Sequence, residues 1–148
     1  MVAKKSSFCI LINLTALNTG EFTMTKNSAL NDLIAIELDA RNFGFEWPHK
    51  EMIIDQAISE CHEIFDAINE GEPEERVQEE IGDLLHTAIS LCIFAGFDVE
   101  QTLAKVSTKF ATRMAAMQEL AKQRGLSTLS GQSMDFMLEL WHEAKKMS

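Results

Sequence analysis

The chain has 148 residues, of which 46% are hydrophobic and 24% charged, with a formal net charge of −10. This length suits one domain able to bury its own core. The acidic balance argues against a general nucleic-acid or anionic-membrane surface, which would need exposed Lys and Arg. With Tyr absent and Gly and Pro sparse, helix formers dominate and an all-α fold is expected.

Residues 1–26 read as an N-terminal extension and 27–148 as the helical domain. Lys4 and Lys5 precede an apolar run over 8–17 that imitates a signal peptide. Asn13 interrupts that run, and no small-residue cleavage site follows before Gly20. It is also too short to span a bilayer. A poorly ordered cytoplasmic extension is expected, with Met24 as an alternative start.

Five helices are expected. The first covers about 28–41, with Leu30, Leu33, Ile34, Ile36 and Leu38 forming a broad apolar face. A connector over 42–48 holds Phe43, Phe45 and Trp47. The second helix runs from near Pro48 to near Glu70, with an apolar stripe of Ile54, Ala57, Ile58, Cys61, Phe65 and Ile68. Gly71-Glu72-Pro73 stops it and restarts the chain. The third helix runs from Pro73 to about Phe94, with Val77, Ile81, Leu84, Leu85, Ala88, Leu91 and Cys92 facing inward. Gly96 ends it, and Asp98 with Gln101 forms a capping box. The fourth carries Val99, Leu103, Val106, Phe110, Met114, Met117 and Leu120 and stops at Gly125. After a connector over 127–133, a short fifth helix reaches Lys146. Such a series, joined by short loops, reads as an antiparallel helical bundle.

Two carboxylate pairs stand out: Glu60-x-x-Glu63 on the second helix and Glu80-x-x-Asp83 on the third. Three-residue spacing puts each pair on one helical face, about 4.5 Å apart along the axis. If the chain reverses at Gly71, four carboxylates can face a common point, an arrangement that calls for a cation between them. Hard oxygen ligands suit magnesium, with manganese as the second choice. Ten acids lie between Glu60 and Asp83 against one base, Arg76; those over 70–75 read as a solvated turn.

E-x-x-E alone is common in helical proteins and also fits an ordinary solvated face. On a helical wheel both pairs flank the apolar stripe of their helix on the same side, and Ile53 and Ala67 make that flank less polar than a free surface. A shared site would draw its remaining cover from the fifth helix or from a second subunit. Asp83-x-x-His86 offers at most one element of a di-iron bundle, a poor match to a motif that needs two. His49, His62, His86 and His142 read as surface or interface residues.

Lys109 and Arg113 share a face of the fourth helix, so an anion is expected opposite, either the acidic helices or a phosphate chain. Trp141 and Lys145 repeat the spacing on the fifth. They suit stacking on a base while reaching its phosphate, although Trp141 alone reads more simply as packing. Cys9, Cys61 and Cys92 include no C-x-x-C, so neither a disulfide framework nor a zinc site follows, and a reducing cytoplasm fits. Cys61 and Cys92 lie on apolar stripes and read as core residues.

Together these residues resemble the MazG family of all-α nucleoside triphosphate pyrophosphohydrolases. Its E-x-x-E, spacer, E-x-x-D hallmark is matched by Glu60, Glu63, Glu80 and Asp83. Phe43-Gly44-Phe45-Glu46-Trp47-Pro48 resembles the stretch before the first metal helix, and Glu79-Glu80-Ile81-Gly82-Asp83-Leu84-Leu85 is close to E-E-L-G-D-L-L. Lys109-Phe110-x-x-Arg113 and Leu140-Trp141-x-x-Ala144-Lys145 match two further motifs. The similarity runs from about 30 to 146 and is to the catalytic C-terminal unit of two-unit members. Departures are Ser59, Ser90, Met114 and Gln118, where the family commonly has Glu, Asn, Phe and Glu.

The resemblance implies that Glu60, Glu63, Glu80 and Asp83 bind magnesium and perform catalysis. It further implies that Lys109, Arg113 and Lys145 meet the phosphates, that Trp141 contacts the nucleoside, and that the chain is a homodimer. The implied reaction yields nucleoside monophosphate and pyrophosphate, in nucleotide-pool housekeeping. The competing reading is a degenerate, non-catalytic helical module that binds nucleotide or a partner protein.

Overall fold

A computed structural model describes residues 28–147, so the extension over 1–26, Cys9 and the alternative start at Met24 lie outside the described residues. The described residues form five α-helices: α1 Ala29–Asn42, α2 Lys50–Asn69, α3 Glu74–Phe94, α4 Val99–Gln123 and α5 Met134–Lys146. All five fall within about two residues of the boundaries expected from periodicity and caps.

Local chemistry explains the ends. Ser28, Asp98 and Ser133 are N-caps whose side-chain oxygens accept from the backbone N–H groups of Asn31, Gln101 and Phe136, satisfying otherwise orphaned donors. Pro73 is the N-cap of α3, not a residue of its first turn. Between α2 and α3, Gly71 takes φ +67°. The Glu72 N–H then donates to the Ala67 carbonyl at 3.0 Å, a left-handed helix stop that glycine enters without strain.

The helices pair into two hairpins. α2 lies along α3, and α5 along α4, while α1 rests on α3 and α4 meets α3 only lightly. The axis bends by 110° between α3 and α4. The α4–α5 hairpin holds an apolar core of Met117, Leu140 and Ala144, flanked by Met114, Leu120, Leu129, Phe136 and Trp141. Arg124 ties its far end together, donating to Glu143 at 2.6 Å and lying 5.5 Å over the Phe136 ring.

The α2–α3 interior differs from expectation. Its fully or nearly buried residues are Ile53, Glu60 and Ala67 on α2, and Glu80, Thr87 and Ser90 on α3. The expected stripes point elsewhere: Ile54, Ile58, Phe65, Ile68, Ile81 and Leu85 are exposed, and so is Cys61, while Cys92 is half-buried. Neither cysteine is a core residue, and Ile81, Leu85 and Ala88 do not face inward. On α2 the seam follows Ile53, Glu60 and Ala67 at seven-residue spacing, one position round from the more hydrophobic stripe, which stays exposed. On α1 the buried residue is Glu37, while Ile36 and Leu38 are exposed.

Candidate active site

Glu60 and Glu80 project into the seam between α2 and α3, where they are 7% and 3% exposed. With the half-buried Glu63, they bring three carboxylate oxygens within 4.8 Å of one another. Asp83, one turn beyond Glu80, is exposed and stands at the rim of this group. The structure thus gathers three of the four acids tightly, and the fourth acts on them through its charge.

Burial is the main reason that the Glu60 carboxyl is held above the usual carboxylate range; the charges of Glu63 and Asp83 add to it, and a hydrogen bond from Gln56 opposes it. Glu80 is also raised, first by burial, then by Glu63, Asp83 and Glu60, against the opposing pull of Arg76. Two sheltered carboxylates that resist ionisation together are relieved by a positive charge placed among them. Three hard oxygen donors at this mutual separation, beside a solvent-facing fourth, fit a divalent cation that keeps some water.

Each gathered acid has a supporting side chain. Gln56 Nε2 donates to Glu60, Ser59 Oγ to Glu63 at 3.4 Å, and Arg76 Nη2 contacts Glu80. Ser59, a departure from the family pattern, therefore still serves the site. Sequence reading missed Gln56 and assigned Arg76 no role. The signal was present, since both precede their glutamate by four residues and share its helical face.

A second polar network lies between α1 and α3. The buried Glu37 accepts from Ser90 Oγ at 2.8 Å and pairs with His86 Nε2 at 3.0 Å and Arg41 Nε at 3.5 Å. The hydrogen bond from His86, with help from Ser90, the charges of His86 and Arg41, and against burial, holds Glu37 below its ordinary value. The hydrogen bond to Glu37 in turn raises His86, against burial, with the charges of Glu37, Asp83 and Glu60 adding to the effect. His86 is thus a paired residue on the edge of the acid site, and Ser90, another departure, anchors α1.

The expected phosphate and nucleoside contacts lie on the other hairpin. Arg113 Cζ sits 5.6 Å over the Trp141 ring, and the Phe110 and Trp141 ring centroids are 6.1 Å apart. Lys109 and Lys145 are exposed on α4 and α5. Trp141 packs against the α4–α5 core and is half-buried there. α4 and α5 do not pack extensively on α2. Lys109, Arg113 and Lys145 thus belong to the α4–α5 hairpin, and the acids to α2–α3.

This fold and site define an all-α protein with a clustered carboxylate centre on a helical hairpin. Residues 49–117 match the MazG nucleotide pyrophosphohydrolase domain, and the chain belongs to that family through this domain. It is 32% identical over 117 residues to the Thermotoga maritima nucleoside triphosphate pyrophosphohydrolase/pyrophosphatase MazG, covering 79% of this chain and 44% of that protein. It is 28% identical over 112 residues to the nucleoside triphosphate pyrophosphohydrolase of Escherichia coli K12, covering 75% and 42%. The uncharacterized protein YabN of Bacillus subtilis is 31% identical over 78 residues, covering 53% and 16%. The chain thus spans less than half the length of these relatives.

Proposed function

We propose that this chain hydrolyses nucleoside triphosphates to nucleoside monophosphate and pyrophosphate, using Mg2+ or, second, Mn2+ held by Glu60, Glu63, Glu80 and Asp83. The observation that carries this reading is the convergence of three carboxylates, two of them buried, from two helices onto one point. When bound, the ion supplies Lewis acidity and a water of lowered pKa for attack at phosphorus. Gln56 and Ser59 hold the Glu60 and Glu63 carboxylates in place. Lys109, Arg113 and Lys145 neutralise charge on the phosphate chain, and most of all on the departing pyrophosphate. Trp141 offers a ring face to the base, with Arg113 beside it.

A homodimer completes the reading. Phe65 at 65%, Leu85 at 62% and Ile58 at 50% exposure form apolar stripes too extensive for an isolated domain. A second copy seated there would cover them and could bring cations from α4–α5 to the acidic hairpin. In this reading the enzyme acts on the free nucleotide pool of the cytoplasm. Among the described residues, no single helix is long and apolar enough to cross a membrane.

The test is pyrophosphate release across a panel of nucleoside triphosphates with Mg2+, for the native chain and for Glu63→Gln and Asp83→Asn. Release that the two substitutions abolish supports the reading. If calorimetry detects nucleotide binding while pyrophosphate release is absent, the chain is a non-catalytic binding module.

A further inference from the structure

Arg76 is the one base between Glu60 and Asp83, and it lies four residues before Glu80 on the same face of α3. Its guanidinium reaches three carboxylates: Glu80 through Nη2, Glu79 through Nη1 at 3.2 Å, and Glu72 through Nε at 3.6 Å. The pairs with Glu72 and Glu79 join exposed side chains and contribute little. The contact with Glu80 is of another kind, because that carboxylate is 3% exposed and confronts Glu60 and Glu63. A buried acid among acids needs a counter-charge, and Arg76 provides it. The same Glu80 group belongs to the oxygen cluster that fits a divalent ion, so guanidinium and metal compete for it. The Arg76 side chain is itself 43% exposed, with a long stem that can carry its charge into solvent.

We infer that Arg76 is the resident counter-ion of the carboxylate site, which neutralises Glu80 in the metal-free chain and is displaced when a divalent cation enters, thereby setting the metal affinity. This rests on the metal site proposed above. The binding role is separable from turnover, since it concerns the exchange of one cation for another at Glu80.

Mn2+ titration followed by electron paramagnetic resonance, on the full chain without nucleotide, tests the exchange. Arg76→Gln is expected to bind Mn2+ about fivefold tighter than the native chain, the ratio that corresponds to a partly exposed ion pair. In chelator, Arg76→Gln is expected to melt below the native chain, and saturating Mn2+ is expected to close that gap. Arg76→Lys keeps the charge without the guanidinium fork and is expected to bind with intermediate affinity; it carries the test alone if the glutamine variant does not fold. Lys122→Gln, which removes a distant base, should leave Mn2+ binding unchanged. Equal or weaker Mn2+ binding by the Arg76 variants, beside a native chain that binds, overturns the inference and leaves the functional reading intact. A native chain that binds no Mn2+ at millimolar concentration overturns both.

Discussion

The two hairpins have opposite interiors. α4 and α5 close over Met117, Leu140 and Ala144, and their charged groups sit outside. α2 and α3 close over Glu60, Glu80, Thr87 and Ser90 beside Ile53 and Ala67, and their larger apolar residues sit outside. The first arrangement draws stability from apolar burial within the chain. The second places ionisable groups where they lose hydration, while both pairs keep large apolar side chains exposed, Phe65 and Leu85 on α2–α3 and Phe110 and Met134 on α4–α5. A helix pair built this way gives up local stability for a charge cluster, a departure from optimal packing of the kind found at functional sites.

The sharpest way to test this contrast is to truncate one residue in each hairpin. Leu140→Ala, at a fully buried position, should cost about 2–5 kcal/mol of unfolding free energy at any protein concentration. Phe65→Ala should destabilise in a concentration-dependent manner and shift sedimentation toward the monomer. A Phe65→Ala chain that melts like the native protein at every concentration would show that the outer stripe has no partner.

Loss of function should follow the polar interior. Glu63→Gln is expected to reduce pyrophosphate release about 100-fold or more while leaving helicity by circular dichroism intact. Because Glu60 and Glu80 have folded pKa values raised above 4.5, the unfolded chain releases their protons first. The metal-free protein should therefore lose stability as pH rises from about 4.5 through those raised values. Added Mg2+ should restore it, raising the melting temperature more at pH 7.5 than at pH 5. Equal stabilisation at both pH values would contradict a carboxylate site.

The smallest expected effect concerns the α1 anchor. His86 is raised above 6.5 by Glu37, so its contribution is complete below about pH 6.5 and is lost as pH rises through its folded value. Glu37 is lowered below 4.5, so its contribution is present above that value and lost as pH falls through its folded one. His86→Gln should cost about 0.5–1.5 kcal/mol near pH 6 and much less at pH 9, where urea melts of the two proteins should converge.

Much of the architecture was readable in the chain. Ser28, Asp98 and Ser133 announced helix starts, because a short polar side chain before an apolar run has a specific donor to satisfy. Gly71 and Gly96 announced stops, and the Glu60, Glu63, Glu80 and Asp83 spacing marked the two helices that carry the acids. Orientation was harder to read. Ile54, Ile58, Phe65 and Ile68 form the more hydrophobic stripe of α2, and periodicity alone assigns such a stripe to the core. The seam instead took the adjacent face, since helical spacing reports which residues share a side and is silent about what that side meets. The salt links of Glu37 with His86 and of Arg76 with Glu80 were equally hidden. The first joins residues 49 positions apart, and the second is an ordinary i, i+4 pair until its glutamate is found buried.

Helix number, extent and polarity pattern were fixed by short-range chemistry, because caps, stops and spacing act within a few residues of themselves. Which face of α2 turned toward α3, how far Glu60 and Glu80 sank from water, and where Arg113 and Trp141 stood relative to them depended on packing between distant segments. Burial and charge proximity are properties of that packing, and they give otherwise common glutamates their distinct chemistry.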